Sequence, residues 1–343
     1  MEYMMAEKKK PAVKTAQKSR HWGRKIFWSI GWLASGLTLL GFFGALSWSV
    51  DLTAHFRLQY AAILAVWLAL AIWYLRWFSA TVFGVALIVN LALLAPYLNY
   101  SEAHPGKYKL LSANIKRVTG EKSYEQNLTL AEKTFLAAGA DFLVLVEARA
   151  DWKEKMAKLV KTYPFYYETQ EQKLSRIVIL SRYRAAATHP LRTWDYNPAL
   201  FAEFHLDGRV FSLAAIHPTS TRWQRDHQDR KLQYLQLAYF FTQVPGGELI
   251  AIGDFNTTPW SYFYRRLTGR EDFKNAMREY GLRTTWPVWC PALGVPIDQC
   301  LYTGAIELTG LQRGEKTGSD HYPIVVTFNL KPLPKPLPET GKK

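Results

Sequence analysis

Three uncharged apolar runs fill most of the first hundred residues. Residues 26–50, IFWSIGWLASGLTLLGFFGALSWSV, carry no charged side chain, and neither do 58–75, LQYAAILAVWLALAIWYL, nor 77–98, WFSATVFGVALIVNLALLAPYL. A helix crosses the hydrocarbon core of a bilayer with about 20 apolar residues. Each run therefore predicts a membrane helix, the second being the shortest. A cleaved leader would explain only the first, whose apolar stretch is too long for that role. Basic residues predict the orientation. Lys8, Lys9, Lys10, Lys14, Lys18, Arg20, Arg24 and Lys25 precede the first run, so residues 1–25 form a basic cytoplasmic N-terminus. The loop DLTAHFR, with Asp51 and Arg57, is then outside, Arg76 inside, and everything after residue 98 outside. In a bacterium that places the remainder in the periplasm or at the cell exterior. Trp28, Trp48, Trp73 and Trp77 fall near the ends of the runs, where interfacial aromatics belong.

Beyond residue 98 the pattern changes. Residues 99–343 hold 33 Lys or Arg against 25 Asp or Glu, so this part is basic in its own right. A surplus of that sign favours anionic partners: nucleic acid, phospholipid headgroups or phosphorylated metabolites. Cys290 and Cys300 suit one disulfide in an oxidising compartment or two free thiols, and no Cys/His spacing suggests zinc. Apolar strand patterns occur at 107–116, 141–148, 176–182, 200–206, 209–217, 247–255, 295–304, 305–314 and 322–330. Helical spacing occurs at 124–140, at 151–163 with Asp151 as the expected N-cap, and at 220–243. Strands interleaved with helices predict an α/β domain over 99–330, its sheets packed face to face with helices outside. Residues 331–343 form a Pro-rich tail.

Polar residues interrupt the ends of these strands. Asn114 follows LLSA, Glu147 follows FLVLV, His217 follows LAAI, and Asp254 and Asn256 follow IAIG. Asp298 follows VPI, and Asp320–His321 precede YPIVV. One such residue is more often a turn former than a functional group. A set of acids, amides and imidazoles on six strands predicts one polar rim instead. That inventory suits metal-assisted phosphoryl chemistry: Mg2+, or Mn2+, takes hard oxygen ligands, and nearby His and Asp move protons of water and leaving group. No GxSxG and no GxxxxGK[ST] is present, which argues against a serine hydrolase and a P-loop NTPase.

The ordered segments SANI, VLVEA, AAIHP, GDFN, PIDQCL and GSDHYP resemble the endonuclease/exonuclease/phosphatase family, which includes DNase I, apurinic endonucleases and neutral sphingomyelinases. TTWP at 284–287 is similar to a membrane-anchored branch, the YafD-like proteins. The resemblance implies a four-layer α/β sandwich (DNase I-like) with its site at one rim. It implies metal ligation by Glu147, Asp320 and Asn114, and phosphate contacts from Asn114, Asn256, His217 and Arg230. It further implies that Asp254 orients or deprotonates water, that Asp298 orients His321 at the scissile phosphate, and that His217 serves the leaving group. The family's acid two positions after the first Asn is here Lys116, which favours a single metal. Gln299 and Cys300 also depart from the branch's phrase after PID.

Three functions are compatible with these residues. The first is an extracytoplasmic nuclease, supported by the basic surplus and by Arg222, Arg225, Arg230 and Lys231. The second is a phospholipid or sphingolipid phosphodiesterase or phosphatase, supported by the anchor and by TTWPVWCPALGVP (284–296). The third is a non-catalytic membrane-bound binding protein. The expected partners are a lipid bilayer and a phosphate-containing substrate; nothing in the sequence predicts a protein partner.

Overall fold

The computed structural model describes residues 11–115, 121–170, 176–192, 198–220, 224–243, 247–268 and 273–332. The N-terminal region is a bundle of α1 (Pro11–Leu40), α3 (Arg57–Trp73) and α4 (Trp77–Leu94). Arg57 Nη1, at the start of α3, donates to the Thr38 carbonyl near the end of α1 (2.6 Å), and Trp67 Nε1 farther along α3 donates to Phe27 (2.8 Å), so the two run antiparallel. Asn90, late in α4, donates to Thr38 Oγ1 (2.8 Å) and fixes α4 parallel to α1.

Two segments are long and apolar enough to cross a membrane, Trp22–Phe43 and Trp77–Tyr97. The helix between them has 17 residues, so its length does not by itself establish a third span. The first apolar run is also not one helix. It leaves α1 through a 3-10 turn, Gly41–Phe43, and Ser47 Oγ then accepts from Val50 N–H to start α2 (Trp48–Thr53). Of the expected interfacial tryptophans, Trp73 and Trp77 are exposed, whereas Trp28 is buried in the bundle.

The rest is a mixed α/β sandwich. In chain order the strands are β1 (Tyr108–Asn114), β2 (Phe142–Ala148), β3 (Phe165–Glu168), β4 (Arg176–Ser181), β5 (Ala185–Leu191) and β6 (Ala199–Leu206). They continue as β7 (Arg209–Ile216), β8 (Glu248–Asp254), β9 (Phe273–Asn275), β10 (Asp298–Thr303), β11 (Ile306–Arg313) and β12 (Ile324–Leu330). One sheet has the order β11-β12-β1-β2-β4-β3, the other β5-β6-β7-β8-β10-β9. The central strands are apolar on both faces because both are covered. Leu110, Val144, Val146 and Ile179 meet Phe204, Leu213, Ile250 and Ile252 between the sheets.

Behind the first sheet, Leu111, Leu143 and Leu145 pack on α5 (Glu121–Ala138), α6 (Trp152–Lys155) and α7 (Ala157–Thr162). Behind the second, Ala214, Leu249 and Ala251 pack on α8 (Gln224–Gln243) and α9 (Tyr262–Leu267). A short α10 (Met277–Tyr280) precedes β10.

The single helix expected over 151–163 is broken at Met156, whose backbone (φ −121°, ψ 45°) leaves the helical region. Asp151 occupies the cap position, but its side chain makes no cap bond; its carboxylate lies 3.4 Å from Arg149 Nε. Both cysteines are free thiols, Cys300 buried between the two sheets. Lys116, Arg222 and most of the Pro-rich tail lie outside the described residues.

Topology brings the polar strand ends together. β1 and β2 are parallel, and β12 runs antiparallel to β1, so the ends of β1 and β2 share an edge with the beginning of β12. In the second sheet β7 and β8 are parallel and β10 is antiparallel to β8, placing the ends of β7 and β8 beside the start of β10.

Candidate active site

Two strand-end distortions aim side chains into this rim. At Glu147 the β2–β4 ladder slips between Leu145 and Ala148, and Glu147 itself has φ +57°. A bulge there turns the carboxylate out of the sheet alternation toward the second sheet. Gly253 has φ +150°, and a Cβ on it would lie 2.0 Å from the Ile216 carbonyl oxygen. Only glycine permits that approach between β7 and β8. It is followed by Asp254 and by Asn256, whose φ is +49°.

The side chains then meet. Asn114 Nδ2 donates to Glu147 Oε1 (2.9 Å) and to Asp254 Oδ2 (3.0 Å), linking the sheets. His217 Nε2 lies 3.6 Å from Glu147 Oε1 and 3.9 Å from Asp254 Oδ2. His321 Nδ1 is bonded to Asp298 Oδ2 at 2.9 Å, leaving Nε2 3.9 Å from Asp254 Oδ2. Asp254 Oδ1 accepts from the backbone N–H of Asn256 (2.7 Å). Asp254, Asp298, His217 and His321 are all buried.

Charge sets the protonation states. Burial raises Asp254 to about 6, with Asp298 adding to the shift and the two imidazoles opposing it. Burial also works against ionised Glu147, but the His217 and Asn114 bonds and the nearby His321 hold it down to about 2.

Two sets of ligand atoms are close enough to share a cation: Glu147, His217 and Asp254, and Asp254, Asp298 and His321, each within 4.8 Å. Carboxylates outnumber imidazoles at this buried rim. A divalent cation with a preference for hard oxygen donors fits that chemistry, since it offsets the excess negative charge. Asp320 is in neither set; Trp286 Nε1 donates to its Oδ2 (3.0 Å), and its Oδ1 lies 4.0 Å from His321 Nε2.

Comparison with known proteins agrees with this geometry. The sequence model of the endonuclease/exonuclease/phosphatase family matches residues 107–321, well over half of the chain. The chain belongs to that family. Its members are metal-dependent hydrolases of phosphoester bonds. Among solved structures, a humanised D. rerio TDP2 superposes with a TM-score of 0.56 at 19% identity, covering 65% of this chain and 98% of that one. The catalytic domain of human nocturnin, with a bound sulfate anion, gives 0.53 at 20% identity over 67% and 95%. The Bacteroides vulgatus endonuclease/exonuclease/phosphatase gives 0.54 at 15% over 65% and 99%. At these identities the likeness shows the DNase I-like fold. No match is found among curated proteins.

Of the residues singled out from the family resemblance, the structure draws Asn114, Glu147, His217, Asp254, Asn256, Asp298, Asp320 and His321 to one rim. Arg230 is placed differently. It is wholly buried behind the rim, with Nη1 donating to the Asn256 carbonyl (2.9 Å) and Nη2 paired with Asp51 from α2. Its guanidinium supports the Asn256 backbone. The four-residue basic patch is therefore not assembled: Arg230 is inside, and only Arg225 and Lys231 are exposed among its described members.

Other residues support the site through contacts that the sequence does not show. Thr285 Oγ1 accepts from Asp298 N–H (3.2 Å), and Trp286 holds Asp320. His55, from the segment joining α2 to α3, shares a hydrogen bond with Thr258 Oγ1 (3.0 Å). The lone acid and imidazole within DLTAHFR, 3.9 Å apart and set among apolar neighbours, were the available signal.

Proposed function

We propose that this protein is a membrane-anchored, divalent-metal-dependent phosphodiesterase that hydrolyses its substrate with an activated water. One observation carries the reading: side chains from six strand ends converge, with Asn114 bridging Glu147 and Asp254 while Asp298 orients His321. Glu147 and Asn114 would hold Mg2+ or Mn2+, and Asp320, 4.0 Å from His321, is the further acid proposed for the metal side. When bound, such a cation polarises a phosphoryl oxygen and offsets its charge.

The chain's own groups supply the proton transfers. Asp254, fixed by Asn114 and the Asn256 N–H, takes a proton from the attacking water; a carboxyl raised to about 6 suits a base near neutrality. The water oxygen bonds to phosphorus, one ester P–O bond breaks, and His217 gives a proton to the departing oxygen. The products are a phosphomonoester and an alcohol. His321, held by Asp298, donates from Nε2 to a phosphoryl oxygen.

Anchoring is supported by burial. Only 33% of the Trp22–Phe43 window and 28% of the Trp77–Tyr97 window is buried, whereas a helix in a soluble core is mostly covered. With α3 as a third, short crossing, the domain lies opposite the basic N-terminus, outside the cytoplasm.

Nucleic acid is the second reading for the substrate, since a structural neighbour, D. rerio TDP2, has been solved with a single-strand DNA product.

The test uses the full chain in detergent micelles with bis(para-nitrophenyl) phosphate. Hydrolysis is expected with Mg2+ or Mn2+ and lost to chelator. Asp254→Ala and His321→Ala should each lower the rate by about a hundredfold or more. Turnover that persists in both variants, or without metal, contradicts the assignment.

A further inference from the structure

The rim opens into a cavity of about 250 Å3 whose lining is divided in character. Glu147, Asn256 and His321 form its polar end, and Trp286, Val295 and Ile297 an apolar side. Besides Ser220, the remaining wall comes from outside the sandwich: Leu52, His55 and Phe56 lie between the first two apolar helices.

That segment is fastened to the catalytic loop at two points. Asp51, fully buried, pairs with Arg230, which in turn donates to the Asn256 carbonyl. His55 bonds Thr258, two residues farther along the same loop. Gly44 allows the fit, because a Cβ there would come within 2.8 Å of the Asp51 carboxylate. The far side of the cavity is docked onto the helices too. Gln59 Nε2, in the first turn of α3, donates to the Ala292 and Gly294 carbonyls (3.2 and 3.0 Å), one residue before Val295. Between these contacts and just before them, Leu293 and Trp289 are exposed, and Leu46 and Leu52 are exposed on the inter-helix side.

We propose that the segment Trp48–Phe56 is a wall of the active site and makes it selective for an amphiphilic phosphate ester, a phospholipid presented from the bilayer. This inference rests on the phosphodiesterase reading above. The phosphate sits against Glu147, Asn256 and His321, while the apolar portion runs along Leu52 and Phe56 toward the helix ends. Bonds change as in the general reaction: water adds to phosphorus, one lipid ester P–O bond breaks, and the released oxygen leaves protonated as an alcohol. Three observations favour a lipid over nucleic acid. Among the described lining residues there is neither Lys nor Arg, whereas a polynucleotide backbone is tracked by several. The wall belongs to the helix region itself. The exposed Trp289, Leu293, Leu46 and Leu52 lie where that region ends, the level at which amphipathic rings and apolar side chains meet a bilayer surface.

The experiment compares three substrates with the full chain reconstituted in nanodiscs: bis(para-nitrophenyl) phosphate, a single-stranded oligodeoxynucleotide, and vesicles of phosphatidylethanolamine with phosphatidylglycerol. Metal-dependent turnover of phospholipid at least tenfold above the oligonucleotide is expected. Leu52→Ser combined with Phe56→Ser should lower phospholipid turnover at least tenfold more than turnover of the soluble diester, and Leu52→Ile with Phe56→Leu should restore the ratio. Hydrolysis of the soluble diester shows that the double variant is folded. Soluble diester cleaved without phospholipid cleavage, the oligonucleotide preferred, or equal losses on both substrates would overturn the lipid assignment alone. No metal-dependent hydrolysis of any substrate would overturn the phosphodiesterase reading, and this inference with it.

Discussion

His321 is held protonated by its neighbours. Burial works against its charge, but the carboxylates of Asp298 and Asp254 raise it to about 9. Asp254 is raised to about 6 by burial and by Asp298. If the reaction needs Asp254 ionised and His321 charged, the rate at saturating metal rises with pH through the first and falls through the second. Asp298→Asn removes the largest influence favouring the His321 cation, so the alkaline limb should move to lower pH by roughly a unit or more. A pH–rate profile of the variant checks this; a lower rate with an unmoved limb would make Asp298 merely structural. The acids and imidazoles were legible one by one, as polar residues ending apolar strands. The buried partner of Arg230 was not legible, because Asp51 lies 179 residues away in a region read as a loop outside the membrane.

At the level of elements, the central strands and the edge strand β11 were legible, whereas the edges β3, β5 and β9 were not. β2, FLVLVEA, is nearly continuous apolar sequence because both faces are covered. β3 and β5 are edge strands with partly exposed side chains, and β5 contains Pro190, so neither shows a clean period. The turn at Gly253 couples β8 to the site. Gly253→Ala would set a Cβ against the Ile216 carbonyl at a φ that side chains rarely adopt, and should cost about 2 kcal/mol or more. A thermal unfolding midpoint equal to wild type would contradict that. A buried ion pair is one of the two fastenings of the inter-helix segment. Asp51→Ala leaves Arg230 charged and unpaired within the protein, at a cost of about 3–5 kcal/mol. Hydrogen exchange should then quicken in Trp48–Phe56 and in the loop after Asp254; unchanged protection in both would refute the fastening.

For the molecule as a whole, the sandwich is docked onto the helices. α1 ends, α3 begins and α4 ends on the side where the sandwich sits, since Tyr97 accepts from Leu282 N–H and Gln59 bonds the loop before Val295. The apolar runs were legible from composition, the second and third close to their observed bounds, but the break in the first was not. Glycines at 41 and 44 and the Ser47 cap end the first helix early, and the second spans 17 residues. Their docking onto the catalytic loop leaves no local pattern. If the helices cross a bilayer three times, a reporter fused after Lys343 is active only outside the cytoplasm, and a cytoplasmic signal would refute that topology. The central claim is that this rim directs water onto phosphorus with the aid of a metal. It is tested most directly by letting the full chain hydrolyse bis(para-nitrophenyl) phosphate in water enriched in heavy oxygen. The account predicts one heavy oxygen in each phosphomonoester formed, and no product once the metal is chelated. Heavy oxygen in the nitrophenol instead, or product formed at the same rate after chelation, would contradict it.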